Sequence, residues 1–436
     1  MNITGKSIAE IVASIRQLVQ SGQLEEGALL PPIRELAEQL GVNRNTVAAA
    51  YQRLVSAGLA VSQGRRGTMI RTQAEGGFQE GAMPDSPLTD LASGNPALHW
   101  LPDISRYLAQ LPARTPRLYG EPLLNPELAA LAQSRLFADQ AEADALVLSH
   151  GAVDAVERLL LAHLKPGDKV IVEDPCFLGT INTLNQAGLE AVAVSVDAEG
   201  LQTEALAAAL ATGVQALICT PRGHNPTGCS LSQTRATEIR SLLAQYPDVL
   251  LIEDDHFATV AGSAYYSIMP AGHRHHALVR SVSKGYGPDL RCTFIHSDAQ
   301  TRERLLLRLT PGSNWVSHLL QDLLCLLLAS DEVQQQLAQA ADYYRAQHSA
   351  LAAALNAAEL PGLPVLSAPA DGLNFWLPLP GLDAEQISHR LARYGWLVRD
   401  AAVFSVRQPQ SALRITISEL DGEQQQKLIA DLRKCL

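Results

Sequence analysis

Apolar and polar positions alternate with two different periods along this chain, and the change from one to the other divides it. Between residues 7 and 19, Ile8, Ile11, Val12, Ile15, Leu18 and Val19 recur at helical spacing, and Gly22 closes the segment. After Pro31-Pro32 a second helix is expected, with Ile33, Leu36, Ala37 and Leu40 on its apolar face and Gly41 at its end. Only Gly41-Val42-Asn43 separates it from a third helix, which Asn43 can cap and in which Val47, Tyr51, Leu54 and Val55 face inward. Two short helices joined by so tight a turn predict a helix-turn-helix. The runs Leu59-Ala60-Val61 and Thr68-Met69-Ile70, parted by a turn with Gly64 and Gly67, predict a β-hairpin behind it.

Residues 73–90 lose all periodicity and gather Gly, Pro and acids, which predicts a linker between a domain at 1–72 and a second at 91–436. Beyond the linker, unbroken apolar runs alternate with amphipathic helices: ALVLS (145–149), KVIVED (169–174), EAVAVSV (190–196), QALICT (215–220), VLLIED (249–254) and ALVRSVS (277–283). Continuous apolar strands between helices predict an α/β fold with a mostly parallel sheet covered on both faces. From about residue 325 a long helix and strands near 373–379, 395–400 and 413–418 predict a smaller C-terminal α+β subdomain.

A length of 436 residues fits two or three domains. The net charge of −11 argues against a nucleic-acid binder until it is divided. Residues 1–73 carry eight Lys and Arg against five acids, a net +3, which leaves −14 on the remainder. Only the N-terminal module is therefore suited to meet phosphate. The six cysteines lie far apart, without metal-site spacing, and are expected to be reduced thiols, with no metal. No membrane span or leader pattern is seen, and a cytoplasmic protein with no membrane partner is expected.

On the third helix the face opposite the core carries Arg44, Asn45, Thr46, Ala49 and Arg53. Guanidinium and short polar groups beside alanines can approach base edges and phosphates of double-stranded DNA without bulk. Arg34 is placed to meet the backbone or a groove edge, and Arg65 and Arg66 at the hairpin tip to enter a minor groove or clamp phosphate. The run from Ser21 to Thr68, with its L-P-x-x-R-x-L-A, G-V-x-R-N-T-V and G-x-x-G-T elements, resembles the winged helix-turn-helix of GntR-type regulators. That resemblance implies DNA contact by Arg34, Arg44, Asn45, Thr46 and Gly64. Pro32 stands where such regulators usually have Ser.

The large domain carries the parts of a cofactor site at strand ends, where an open α/β sheet binds ligands. Lys284 follows the strand 277–283, with Ser281 and Ser283 before it and Arg291 after, a set suited to a phosphate dianion beside an amine. Asp254 ends an apolar strand, where a carboxylate is costly unless it meets a cation. Gly151-Ala152-Val153 opens a helix whose first N–H groups can hold phosphate. Asn225, in His224-Asn225-Pro226-Thr227-Gly228, offers an amide to a ring hydroxyl, and Phe177 a stacking face. Together these predict a site for pyridoxal 5′-phosphate held as an imine on Lys284.

The segments LASGNP, HGAVDAV, VEDPCFLG, NPTG, IEDD and SVSKGYGPDLR resemble a fold-type I aminotransferase from Leu91 onward, and the two-domain order is similar to the MocR subfamily of GntR regulators. The resemblance implies Lys284 as the imine lysine, Asp254 at the pyridine nitrogen and Asn225 at the ring oxygen. Gly151, Ala152, Ser281, Ser283 and Arg291 would hold the phosphate. It further implies a homodimer in which Tyr119 reaches the other subunit's phosphate, and Arg414 as the group that binds the carboxylate of an amino-compound effector. Two positions depart from the family. His256-Phe257 stands where a tyrosine usually contacts the ring oxygen, and Leu124 replaces a glycine; His256 is taken as a cofactor contact, and which residue replaces that tyrosine is left open. Weak or absent transaminase activity is expected. The function implied is a PLP-responsive transcriptional regulator of vitamin B6, amino-acid or amine metabolism, with a metabolic aminotransferase carrying a vestigial extension as the alternative.

Overall fold

The structure is a computed structural model that describes residues 3–25, 27–56, 60–62, 67–70, 86–111, 116–140, 146–309, 314–366, 370–407 and 410–436. Two compact units are present, one built on the N-terminal 77 residues and one on most of the rest.

In the N-terminal unit, α1 (Ile8–Gln20) opens on a capping box: Ser7 accepts the Glu10 backbone N–H while Glu10 reaches back to the cap. Helix α2 (Ile33–Leu40) starts after Pro32 and stops at Gly41, whose φ of 63° is the left-handed conformation that ends a helix. Asn43 accepts the Asn45 N–H at 2.8 Å and so caps α3 (Arg44–Ser56), as its position predicts. Ile11, Ile15, Leu36, Val47, Ala50 and Leu54 are buried together. Tyr51 donates from this core to the Pro31 carbonyl at 2.8 Å, fixing the entry to α2. Ile33, expected on the apolar face of α2, is instead 37% exposed. The hairpin is present as β1 (Ala60–Ser62) antiparallel to β2 (Thr68–Ile70). The backbone of residues 28–30 adds a third edge, with Leu30 N–H donating to Thr68 and Ile70 N–H to Ala28.

Thr89 and Asp90, at the end of the stretch read as linker, form a short strand, β3 (Thr89–Asp90), so the folded part of the large unit begins before Leu91. The main sheet follows: β4 (Leu146–Ser149), β5 (Lys169–Asp174), β6 (Glu190–Asp197), β7 (Gly200–Leu201), β8 (Ala216–Cys219), β9 (Leu250–Asp254), β10 (His276–Ser281) and β11 (Thr293–Ser297), in the order β4-β11-β10-β9-β8-β5-β6-β7. Strands β5, β8, β9 and β10 run parallel. Two strands of this sheet were not expected, the two-residue β7 and β11, and β11 lies antiparallel to both β10 and β4. Every residue of β4, β8, β9 and β11 is buried, so both faces of the sheet are covered.

The smaller subdomain contains β12 (Asn374–Pro378), β13 (Trp396–Leu397), β14 (Arg399–Asp400) and β15 (Ala412–Thr416), with β12-β15-β14 forming an antiparallel sheet and β13 pairing in parallel with β3. The helix Asp331–Ala358 serves two cores, Val333, Leu337, Ala340 and Tyr344 packing with Leu278 and Phe294, and Leu351 and Leu355 with Leu377 and Leu413.

Candidate functional site

In the large unit, the carboxyl ends of the parallel strands converge on a cavity of about 270 Å³ lined by Lys284, Asp254, Asn225, His256, Ser281 and Ser283, with Phe177, Ala152, Val153 and Arg291 around them. That volume lies near the lower end of the roughly 300–1,000 Å³ range of small-ligand pockets. The sequence-derived candidates are thus brought together from positions 152 to 291. The structure adds Ser93, Gly94, Asn95 and Pro288 to the lining.

Lys284 sits half-buried in a single helical turn after β10, and its ammonium donates to the Gly94 carbonyl at 2.8 Å. Beside it, Ser283 N–H donates to Ser281 Oγ at 3.2 Å, and the two hydroxyls are 3.1 Å apart. Across the cavity the helix Ala152–His163 begins at Gly151 without a side-chain cap, so its first-turn N–H groups face the site with no side-chain acceptor at the cap. Gly151 has φ 110°, and a Cβ there would come within 2.5 Å of the Arg291 guanidinium. Only glycine lets Arg291 lie against that turn, where it donates to the His150 carbonyl at 2.8 Å.

Asp254 ends β9 with 6% exposure, and its Oδ1 is buried without a hydrogen bond among the described residues. His256 Nδ1 stands 3.4 Å from that oxygen. The His256 ring lies within 25° of parallel to Phe177, with centroids 6.4 Å apart. A buried carboxylate oxygen left in this state has strong demand for a cationic N–H. Demand of that kind, next to an amine, two hydroxyls, a guanidinium and a helix N-terminus, fits pyridoxal 5′-phosphate: pyridinium at Asp254, phosphate at the donors, aldehyde at Lys284.

Asn225 Oδ1 accepts from Arg414 Nη1 at 3.1 Å, and Asn225 also lines the cavity. Arg414 is fully buried, lies over the Phe404 ring at 4.9 Å and also donates to the Ala92 carbonyl. It therefore stands behind the cavity rather than in its lining. Tyr119 is 92% exposed and away from the cavity of its own chain, on a separate groove of about 710 Å³ with Leu118, Leu123, Trp315 and Leu319.

Behind Asp254 lies a network that sequence reasoning missed. Asp255, with no exposure, takes Arg222 through both carboxylate oxygens at 2.7 and 2.9 Å and Arg280 Nε at 2.7 Å, while Arg280 also grips Asp139 at 2.7 and 2.8 Å. These partners hold Asp139 below the usual carboxylate range against its burial, and keep Arg280 charged. The four residues span 139 to 280, and no local pattern marks them.

On the N-terminal unit, considered by itself, Arg44 and Asn45 are exposed and Thr46 half-buried at the start of α3. Arg34 is exposed on α2, in a solvent-facing pair with Glu38 at 3.3 Å. Gly64, Arg65 and Arg66 lie outside the described residues.

A helix-turn-helix unit with a polar reading face and a separate lysine-centred cavity define a regulator built on an aminotransferase scaffold. Residues 7–70 match the gntR family of bacterial regulatory proteins and residues 86–432 the aminotransferase class I and II family, and the chain belongs to the DNA-binding transcriptional regulators that combine them, the architecture of the MocR subfamily. It is 48% identical over 434 residues, all of this chain and 99% of the relative, to the vitamin B6 salvage pathway transcriptional repressor PtsJ of Salmonella typhimurium. It is 26% identical to the HTH-type transcriptional regulator TauR of Rhodobacter capsulatus, over 93% of this chain and 92% of that one. Among solved structures, a Pyrococcus horikoshii kynurenine aminotransferase superposes on 80% of this chain and 91% of its own with a TM-score of 0.73 at 20% identity, which supports the fold. Among the described residues no helix is long and apolar enough to cross a membrane.

Proposed function

We propose that this chain is a cytoplasmic repressor of vitamin B6 salvage genes whose operator binding responds to pyridoxal 5′-phosphate, or its amino-compound adduct, held at Lys284. The observation that carries this reading is the buried Asp254 oxygen facing a cavity that also holds the lysine and the phosphate donors. The full-length similarity to a repressor of that pathway supports the choice of genes.

When bound, the cofactor supplies an aldehyde for covalent attachment to a primary amine. Asp254 would keep the pyridine nitrogen protonated, and Asn225 would meet the ring oxygen. Phe177 and His256 would wall the ring. Ser281, Ser283, Arg291 and the N–H groups of Gly151, Ala152 and Val153 would take the phosphate. Among the described residues that line the cavity there is no tyrosine, and His256 Nδ1 is directed to Asp254, which favours a binding role over sustained transamination.

The same groups suggest how occupancy leaves the site. Lys284 and Arg414 both donate to carbonyls of one strap, Gly94 and Ala92, and Arg399 Nε also donates to Ala92 at 3.0 Å. Engaging the Lys284 amine removes its bond to Gly94, and an effector carboxylate competes with Ala92 for Arg414. The strap follows β3 directly, and the chain before β3 leads to the DNA-binding module. Coupling of about 1–3 kcal/mol would change operator affinity roughly 5- to 150-fold.

A homodimer is part of the proposal: the groove around Tyr119 exposes Leu118 at 74% and Leu319 at 72%, an apolar surface suited to a second copy. The test is an operator titration of wild type and Lys284→Ala with and without pyridoxal phosphate. The wild type alone should respond. Identical isotherms in all four conditions would reduce the large domain to a scaffold, and keto-acid release at ordinary aminotransferase rates would favour an enzyme.

A further inference from the structure

An acid and an imidazole lie buried behind Asn225 with no role assigned above. Glu173 near the end of β5 is 4% exposed and His224 1%. Glu173 Oε1 accepts the Thr220 backbone N–H at 2.9 Å, tying the end of β5 to the residue after β8. Its Oε2 stands 3.3 Å from His224 Nε2, and His224 Nδ1 lies 2.7 Å from Thr227 Oγ1. His224 immediately precedes Asn225, and its backbone closes the turn, donating to Cys229 at 3.0 Å and accepting from Gly228 at 2.6 Å. Glu173 thus stands against the turn that carries Asn225, and His224 Nε2 is buried there without a hydrogen bond among the described residues.

The charge state of the pair follows from what surrounds it. Facing Glu173 and His224 are the carboxyl group of Asp254, the His256 ring and the thiols of Cys176, Cys219 and Cys229, with Asp174 beside Cys176. Burial pushes all three thiols up, so they stay neutral. No lysine or arginine is among these neighbours. An ionised Glu173 would be desolvated and would repel Asp254, and burial raises its carboxyl to about 8. An imidazolium at His224 would be equally desolvated and would repel His256, and burial lowers it to about 3. Hydrogen bonds from Thr220 and Cys219 favour the ionised Glu173, but burial and the neighbouring charges outweigh them and favour a neutral pair.

We propose that Glu173 is a positioning residue of the cofactor site: protonated at neutral pH, it offers its hydroxyl to His224 Nε2, whose Nδ1–H donates to Thr227, and so holds the turn that presents Asn225. At alkaline pH the proton leaves to solvent. The donor to His224 is lost, and a second negative charge appears beside Asp254, the partner of the pyridinium. The effect on bound cofactor rests on the cofactor reading above; the protonation state does not.

Glu173→Gln decides between the neutral pair and an ion pair, because a glutamine amide has the donor and acceptor of a protonated glutamic acid and no charge. Infrared difference spectra of the full chain, with and without pyridoxal phosphate, should show a protonated-carboxyl C=O band in wild type that is missing in Glu173→Gln and bleaches on alkalinisation. The loaded wild type should show an alkaline absorbance transition that Glu173→Gln lacks, while the variant retains cofactor within about twofold. His224→Leu, with the anchor removed, should lose about tenfold in cofactor affinity, the equivalent of one hydrogen bond near the upper end of its usual net worth. Absence of the carboxyl band, or a tenfold or greater loss of cofactor by Glu173→Gln at neutral pH, would overturn the proposal. Should wild type bind no pyridoxal phosphate, the cofactor reading fails, and the infrared band still decides the state of Glu173.

Discussion

Replacing Asp255 by asparagine removes the charge on which two guanidinium groups converge directly behind Asp254. Arg222 keeps its bond to the Ser263 carbonyl at 3.1 Å but loses its carboxylate, with only 13% of its side chain exposed to water. Arg280, 3% exposed, keeps Asp139. Breaking a buried ion pair by removing one partner costs about 3–5 kcal/mol. The lower end applies here, since Arg280 retains one carboxylate and the asparagine carbonyl still accepts one N–H, so a loss of about 3 kcal/mol is expected. Urea unfolding of the cofactor-free chain, followed by far-ultraviolet circular dichroism, measures it as an earlier transition for the large unit. Cofactor retention should fall as well, because Asp254 is covalently next in the chain and its carboxylate direction depends on the anchored neighbour. A loss within about 0.5 kcal/mol, typical of a surface substitution, would refute the claim that this network supports the site.

Three further outcomes are expected. Arg44→Ala should weaken operator binding by about 1–3 kcal/mol and relax specificity if the guanidinium reads a base, or weaken all sequences alike if it holds phosphate, as gel-shift titration on specific and random DNA distinguishes. Tyr119→Phe should loosen cofactor retention, read by absorbance after gel filtration, without lowering the unfolding midpoint. A wild-type monomer by light scattering at micromolar concentration that still holds cofactor would contradict the crossing role of Tyr119. Finally, burial lowers His348 to about 4, its Nε2 lying 3.1 Å from the Gly372 carbonyl. This folded value is below that of the unfolded chain, about 6.5. The corresponding stability is therefore full above about pH 6.5 and is lost as pH falls toward 4. His348→Gln should flatten that part of the stability profile, and an unchanged acid limb would exclude His348 as a contributor.

Local pattern determined much of this protein. The apolar period, Gly41 and Asn43 locate the helix-turn-helix because capping and amphipathicity act over one or two turns. The strand-end positions of Asp254, Ser281 and Lys284 were legible because a parallel sheet aligns its carboxyl ends. Tertiary structure decided what depends on residues distant in sequence. Strand β11 was missed because Thr293–Ser297 has only Phe294 and Ile295 as apolar residues and gains its place by pairing antiparallel between β10 and β4. The linker ended sooner than its composition indicated, since Thr89 and Asp90 become a strand only when Trp396 and Leu397 lie alongside. For Arg414 the resemblance implies a carboxylate binder, and only the fold shows its guanidinium engaged by Asn225 and Ala92, some 189 and 322 residues away. The Asp139–Arg280–Asp255–Arg222 network and the Glu173–His224 pair have no signature in sequence for the same reason: a buried charge is tolerable only where folding delivers its partner, and the chain alone does not record that meeting.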